Sequence, residues 1–169
     1  YNEKSDYHKL LLTSEELKYL KKQLKDEKEI ISINQLNRFI HFVNIKEEKN
    51  INKYAENCRM IGDKLLLLVR DNENIQLVFD EYYKEQGLLI TEGLALSNYT
   101  FTKHKTNQKP NKLKTINISH ITDNEITELQ NILDAVYFTR DLINEPFSHL
   151  KAKDLADAAI SCGKQNNIE

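Results

Sequence analysis

The chain has 169 residues, 40% hydrophobic and 30% charged, which is enough apolar material for one core under a heavily solvated surface. Its 24 Lys and Arg against 26 Asp and Glu give a net charge of -2, a balance that exerts no general pull on nucleic acid or on an anionic membrane. No apolar run is long enough to span a bilayer and no stretch has the apolar segment of a signal peptide. The two cysteines, Cys58 and Cys162, form no CxxC pair and read as reduced thiols of a cytosolic protein.

The first helix opens at Thr13-Ser14-Glu15-Glu16. This is a capping box, in which the Thr13 hydroxyl accepts from the Glu16 amide and Glu16 reaches back to the Thr13 amide, with Leu12 and Leu17 at the staple positions. Leu17, Leu20 and Leu24 continue it as an apolar stripe. Residues 30–33 and 39–45 are rich in β-branched and aromatic side chains and read as strands, joined by the turn-like Asn34-Gln35-Leu36-Asn37. In the second strand Phe39, His41, Val43 and Ile45 fall on one face, Ile40 and Phe42 on the other. Both faces are mostly apolar, so the strand is expected to be covered on both sides. His41 reads as a core or sheet-edge histidine rather than a ligand.

Ile51, Tyr54, Cys58, Ile61, Leu65 and Leu68 recur at helical spacing and mark a longer helix. Gly62 inside it costs roughly 1 kcal/mol against Ala, a cost that a close backbone contact would explain. Residues 75–79 read as a strand, 82–96 as a helix broken near Ser97-Asn98, 103–114 as a polar, basic loop, and 114–121 as a strand. Thr122-Asp123-Asn124-Glu125 is a second capping box, with Ile121 and Ile126 as its staple and Ile126, Leu129, Leu133 and Val136 as the stripe that follows. That helix should run to about Asn144, because Pro146 disfavours helical geometry at Glu145. A last helix covers roughly 153–164. Strands repeatedly followed by helices predict an α/β fold, a mixed sheet with helices on both faces and a long helix after it. The expected organisation is an α/β domain over 1–121, a connecting helix over 122–145, and the beginning of a second unit over 146–169.

The chemistry-bearing residues form no catalytic constellation. There is no HExxH pair, no GxSxG elbow and no phosphate loop, and the four glycines, Gly62, Gly87, Gly93 and Gly163, are too dispersed for a dinucleotide fingerprint. His8, His41, His104, His120 and His149 stand without a second ligand three or four positions on. Thr122 and Asp123 read as capping residues rather than as partners of His120. Lys103, His104, Lys105, Lys109, Lys112 and Lys114 read as a solvated loop rather than a phosphate-binding surface, since no aromatic platform is interleaved. No catalytic, cofactor-binding or metal-binding residue is assigned.

Three stretches, in order, resemble one family. Residues 139–146, Thr-Arg-Asp-Leu-Ile-Asn-Glu-Pro, resemble the Arg-Asp-Leu-Val-Asn-x-Pro stretch of the leucyl aminopeptidases, the two-metal cytosol aminopeptidase family, and Leu150 through Leu155-Ala156 is similar to its Leu-Thr-Pro-x-x-Leu-Ala. Glu92-Gly93-Leu94-Ala95-Leu96-Ser97-Asn98-Tyr99-Thr100-Phe101, with Lys103 and Lys105 after it, resembles Glu-Gly-x-x-Leu-x-x-Tyr-x-Phe. Glu56 through Gly62, with Arg59, resembles Glu-x-x-Arg-x-x-Gly. Lys151-Ala152 stand where the family has Thr-Pro, which deprives the last helix of its usual cap and first-turn proline and weakens its start by about 1 kcal/mol. Residues 1–50 match none of the family's stretches.

The resemblance implies an N-terminal domain similar to the macro-domain fold, a long connecting helix, and a C-terminal catalytic domain that holds two divalent ions, zinc or manganese, in an Asn-Thr-Asp-Ala-Glu-Gly-Arg motif absent here. It implies a cytoplasmic, hexameric metallopeptidase that removes N-terminal residues from peptides. The present chain would be its non-catalytic front part, inactive alone, ending just inside the catalytic domain and serving as scaffold and oligomer contact. Two other readings compete with it: a stand-alone macro-like module for a nucleotide or ADP-ribose, and a structural interaction domain.

Overall fold

A computed structural model describes residues 11–106 and 110–168; His8 and Lys109 lie outside the described residues. The first capping box forms as expected. The Glu16 amide donates to the Thr13 hydroxyl at 3.2 Å, and the Thr13 amide to Glu16 Oε2 at 2.7 Å, opening helix α1, Ser14–Lys25. Strands β1, Ile30–Asn34, and β2, Phe39–Val43, pair antiparallel with Ile31 opposite Phe42 and Ile33 opposite Ile40. These side chains meet Leu20 of α1 in one apolar cluster, with Leu12 and Leu24 at its border. Ile30, Val43 and Ile45 pack instead on a second cluster under the next helix. The hairpin therefore has a helix on each face, as its doubly apolar pattern requires. Its turn is tied to α1, because Gln35 Nε2 donates to Glu16 Oε2 at 2.9 Å. The Thr13 amide, followed by Gln35, holds the Glu16 carboxyl below the usual range.

Helix α2, Ile51–Val69, is capped by the Asn50 side chain, which accepts from the Lys53 amide at 3.1 Å. Strand β3, Asn74–Leu77, a 3₁₀ turn at Glu81–Tyr83, helix α3, Lys84–Asn98, and strand β4, Thr115–Ile118, follow. β3 and β4 pair in parallel, from Asn74 opposite Thr115 to Leu77 opposite Ile118, with α3 as the crossover. The α/β class is thus as read. The described strands form two separate two-stranded ladders, one antiparallel and one parallel. β3 stops two residues before the expected Phe79 because the Phe79 ring lies over Gly87 and its amide donates to Ser119 Oγ at 3.3 Å. α3 starts two residues later than expected because the Asp80 side chain caps the preceding 3₁₀ turn.

The α2–α3 crossing is where backbones meet. A Cβ on Gly62 would lie 2.2 Å from the Ile90 carbonyl oxygen, and one on Gly93 would lie 2.1 Å from the Arg59 carbonyl oxygen. Each glycine is the gap that admits the other helix. Beside the crossing Arg59 Nε donates to Glu92 Oε2 at 2.9 Å, with the Glu92 side chain only 15% exposed. Cys58, Ile61, Leu65, Leu66, Val69, Ile90 and Leu94 fill the core around it. Burial raises the Cys58 thiol above its ordinary range.

Helix α4, Asp123–Asn144, is uninterrupted over 22 residues and starts at the Thr122–Glu125 capping box. It stops at Glu145, which is extended ahead of Pro146. Glu125 also receives Lys84 Nζ at 2.7 Å from the start of α3. Helix α5, Ala152–Gln165, buries no side chain among the described residues, and its start is held by the Lys151 amide on Asp154 Oδ2 at 2.9 Å, which replaces part of the missing cap.

Two predictions follow from this packing. Gly93→Ala drives a methyl into the opposing backbone, and the strain outweighs the roughly 1 kcal/mol gained in helix propensity. The net loss should be about 2 kcal/mol, seen in thermal melts as a drop of about 4–8 °C. Glu125 titrates at about 2, because Lys84 and then the Thr122 amide stabilise its carboxylate. Its folded pKa lies below the ordinary glutamate value of 4.5, so its contribution is fully present above pH 4.5 and is lost as pH falls toward 2. Melting temperatures of the wild type and Glu125→Gln should differ at pH 6 and converge only near pH 2.

Candidate functional site

The residues that carry the family resemblance gather at two joints. Arg59, Gly62, Glu92 and Gly93 make the α2–α3 crossing. The rest meet at a seam where the end of α3 and the loop after it lie against the last turns of α4. The final carbonyls of any helix have no partner within the helix. Here two of those of α3 are taken by α4: the Tyr137 hydroxyl donates to the Ala95 oxygen and the Arg140 guanidinium donates to the Leu96 oxygen. A cation at that end also suits the α3 dipole.

Tyr99, the first residue past α3, completes the joint. Its hydroxyl donates to Asp141 Oδ1 at 2.6 Å and accepts from Asn144 Nδ2 at 3.3 Å. Its ring stacks on Tyr137 at 5.4 Å, and the Arg140 guanidinium lies 5.5 Å from the ring centre. Desolvation, then the bond to Asp141, raises the phenol above its ordinary range, which keeps it a donor.

Further along the loop, Lys103 Nζ and His104 Nε2 both reach Glu145, whose side chain is only 7% exposed; the histidine contact is 2.8 Å. Lys103, then His104, holds the Glu145 carboxyl below its usual range. The His104 ring stacks on His149 at 4.4 Å and lies 5.8 Å from Phe101. Thr100, Phe101, Thr102, Lys103, Asp141 and Glu145 line a hollow of about 250 Å³.

The remaining polar candidates fall elsewhere. His41 accepts or donates at Nδ1 with Ser32 Oγ at 2.8 Å inside the hairpin, and burial lowers its pKa. Lys114 pairs with Glu73 at 2.9 Å, so three members of the basic loop, Lys103, His104 and Lys114, face the protein's own carboxylates. His120 is exposed in a left-handed turn, φ 57°, and Thr122 beside it caps α4. Cys58 and Cys162 are free thiols. Among the described residues no group of three or more His, Cys, Asp or Glu could hold a metal ion. The arrangement is one of mutual pairing: its donors and acceptors fasten α3 to α4. Sequence reasoning missed Tyr137, whose only signal was its place three residues before Arg140, one helical turn away on the same face.

Arg140→Gln should lower stability by about 2 kcal/mol, since it removes a charged donor from a helix-end carbonyl. Tyr99→Phe should lower it by about 1 kcal/mol, and the double variant by less than the sum, because the two side chains share one joint. Urea unfolding of the four proteins measures this coupling.

No family model matches the chain. "Probable cytosol aminopeptidase" of Sulfurihydrogenibium sp. (strain YO3AOP1) is 35% identical over 96 residues, 53% of this chain and 19% of that protein. The protein of the same description from Clostridium tetani (strain Massachusetts / E88) is 26% identical over 123 residues, 68% of this chain and 26% of its own length. The chain thus spans about a fifth to a quarter of the curated relatives it matches. Among solved structures, the bottromycin maturation enzyme BotP in complex with Mn superposes with a TM-score of 0.63 over 80% of this chain and 30% of BotP, at 14% identity, so the two share a fold. The leucyl aminopeptidase resemblance carried by Arg59, Glu92 and Tyr99 is matched by curated relatives named cytosol aminopeptidase, to which this chain is related over part of its length.

Proposed function

We propose that this chain is the non-catalytic N-terminal part of a two-metal leucyl aminopeptidase-like exopeptidase, a cytoplasmic enzyme that removes N-terminal residues from peptides. The observation that carries the reading is the α3–α4 seam. Two of the stretches that resemble the family, 92–105 and 139–146, fix α4 to the α/β unit, so their chemistry is that of a scaffold joint. In this reading residues 1–121 are the α/β domain, macro-like in fold, 122–145 the connecting helix and 146–169 the first segment of the catalytic domain. Exposed Leu155 and Ile160 on α5 suit a segment meant to pack against more protein. Exposed Met60, Leu67 and Leu68 on α2 offer apolar surface for oligomer contacts.

Two-metal hydrolysis needs several carboxylates around ions about 3.5–4 Å apart, with a position open for water. The described residues do not fit that requirement, since none of their acidic, histidine or cysteine side chains form a group of three able to hold an ion. No step of the reaction is assigned to them, and the two zinc or manganese ions belong to the remainder of the protein. No described helix is long and apolar enough to cross a membrane.

The test compares the isolated chain with the whole encoded protein. After dialysis against zinc or manganese, the chain should hold no stoichiometric metal and release no leucine from a chromogenic amide, whereas the whole protein should do both. Stoichiometric metal and turnover in the isolated chain, surviving repurification, would overturn the assignment. Millimolar ADP-ribose should leave the melting temperature of the chain unchanged. A saturable rise of several degrees would favour the macro-like binding module instead.

A further inference from the structure

We propose that α2 pairs with the α2 of a second copy of this chain, antiparallel about a two-fold axis that passes between Asp63 and Lys64. The inference deepens the oligomer contact of the aminopeptidase reading and rests on it. α2 turns Cys58, Ile61, Leu65, Leu66 and Val69 inward. At about 100° per residue, its outward face is centred on Met60, Lys64 and Leu67. Leu68 stands on one flank of that face, and Glu56, Asp63 and Arg70 stand on the other. The apolar members are open to solvent: Met60 is 50% exposed, Leu67 63% and Leu68 47%.

What fits this face is the face itself, reversed. In an antiparallel two-fold pair, residues equally far on either side of the axis meet, and each flank meets its own copy. Met60 then faces Leu67 of the second copy, Asp63 is set beside Lys64, and Glu56 faces Arg70, each match made twice. Apolar meets apolar and acid meets base. A parallel pair would set Glu56, Lys64 and Arg70 each against itself, and like charges repel. Within its own copy Lys64 reaches Glu29 at 2.5 Å, and Glu56 lies 3.8 Å from Arg59. Exposed pairs of this kind hold weakly, so neither bars the new contacts. The flank that carries Leu68 also carries a hole. Asn57, Met60, Ile61 and Lys64 rim a hollow of about 160 Å³, with Ile45 in its lining. Four residues at i, i+3, i+4 and i+7 are the set that receives a side chain from a facing helix. The reversed register brings Leu68 of the second copy to it.

Sedimentation equilibrium of the chain tests the pairing. One pair of helices buries less than the roughly 1,200 Å² of the smaller stable interfaces, so a reversible dimer with a Kd of about 100 µM is expected. Leu68→Glu sets a charge against the hole and should raise Kd at least about tenfold. Glu56→Arg and Arg70→Glu should each do the same, because each places like charges opposite one another. Combining the two substitutions in one chain, or mixing the two single variants in equal amounts, should return Kd to within about threefold of the wild type. All three side chains lie outside the core, so thermal melts of the variants should match the wild type. A chain that stays monomeric to about millimolar concentration would overturn the pairing and leave the α2 face to another part of the encoded protein. A dimer that the single variants leave intact, or a loss that the charge exchange does not restore, would overturn it as well. Association is read without metal or peptide, so failure of the pairing is distinguishable from failure of the peptidase assignment.

Discussion

The contact between α2 and α3 through Gly62 and Gly93 governs the rest of the fold. Each glycine occupies the place where a methyl group would strike the other helix's backbone within 2.2 Å. The two helices can therefore approach closely enough to bury Cys58, Ile61 and Leu94 between and beneath them. That close approach also brings Arg59 against Glu92 and seats α3 where it can cross from β3 to β4. Any widening of the crossing would lengthen the ion pair and pull the crossover off the core at once.

From that base, α4 is added by its two ends. Lys84 at the start of α3 meets Glu125 at the start of α4, and the closing carbonyls of α3 meet Tyr137 and Arg140 near the end of α4. The two helices run the same way, so their dipoles point together, an arrangement that is unfavourable by itself. The side chains offset it: a carboxylate stands at the shared positive end and a guanidinium at the shared negative end. Arg140, which lies in one of the stretches resembling a peptidase family, is in this sense an electrostatic fitting between parallel helices.

How much of this was legible in the sequence depended on range. Both capping boxes, the doubly apolar face pattern of β2 and the meaning of Gly62 are local or nearly so, and each could be read from a few neighbouring residues. Gly93 as the opposing gap, and Tyr99 as the partner of Asp141, were visible only as strings resembling a family, because nothing local tells a tyrosine which carboxylate lies 42 positions away. The pairing of β3 with β4 was not legible either. Residues 75–79 and 114–121 give two strand-like patterns, and neither tells which of its residues faces which in the other strand. α5 was readable as a helix but not as an uncovered one, since periodicity reports an apolar stripe and not what lies against it.

The parallel β3–β4 ladder also constrains the order in which the chain can fold. Its backbone bonds join segments about forty residues apart, whereas β1 and β2 are joined by a short turn. The entropy of closing so long a loop is lost before the ladder's bonds repay it. The loop is shortened only once α3 has formed and settled on α2. The hairpin closes over a short turn, while the parallel pair must wait for the glycine crossing. A chain leaving the ribosome would carry β3 with unpaired edges until β4, some forty residues later, had emerged.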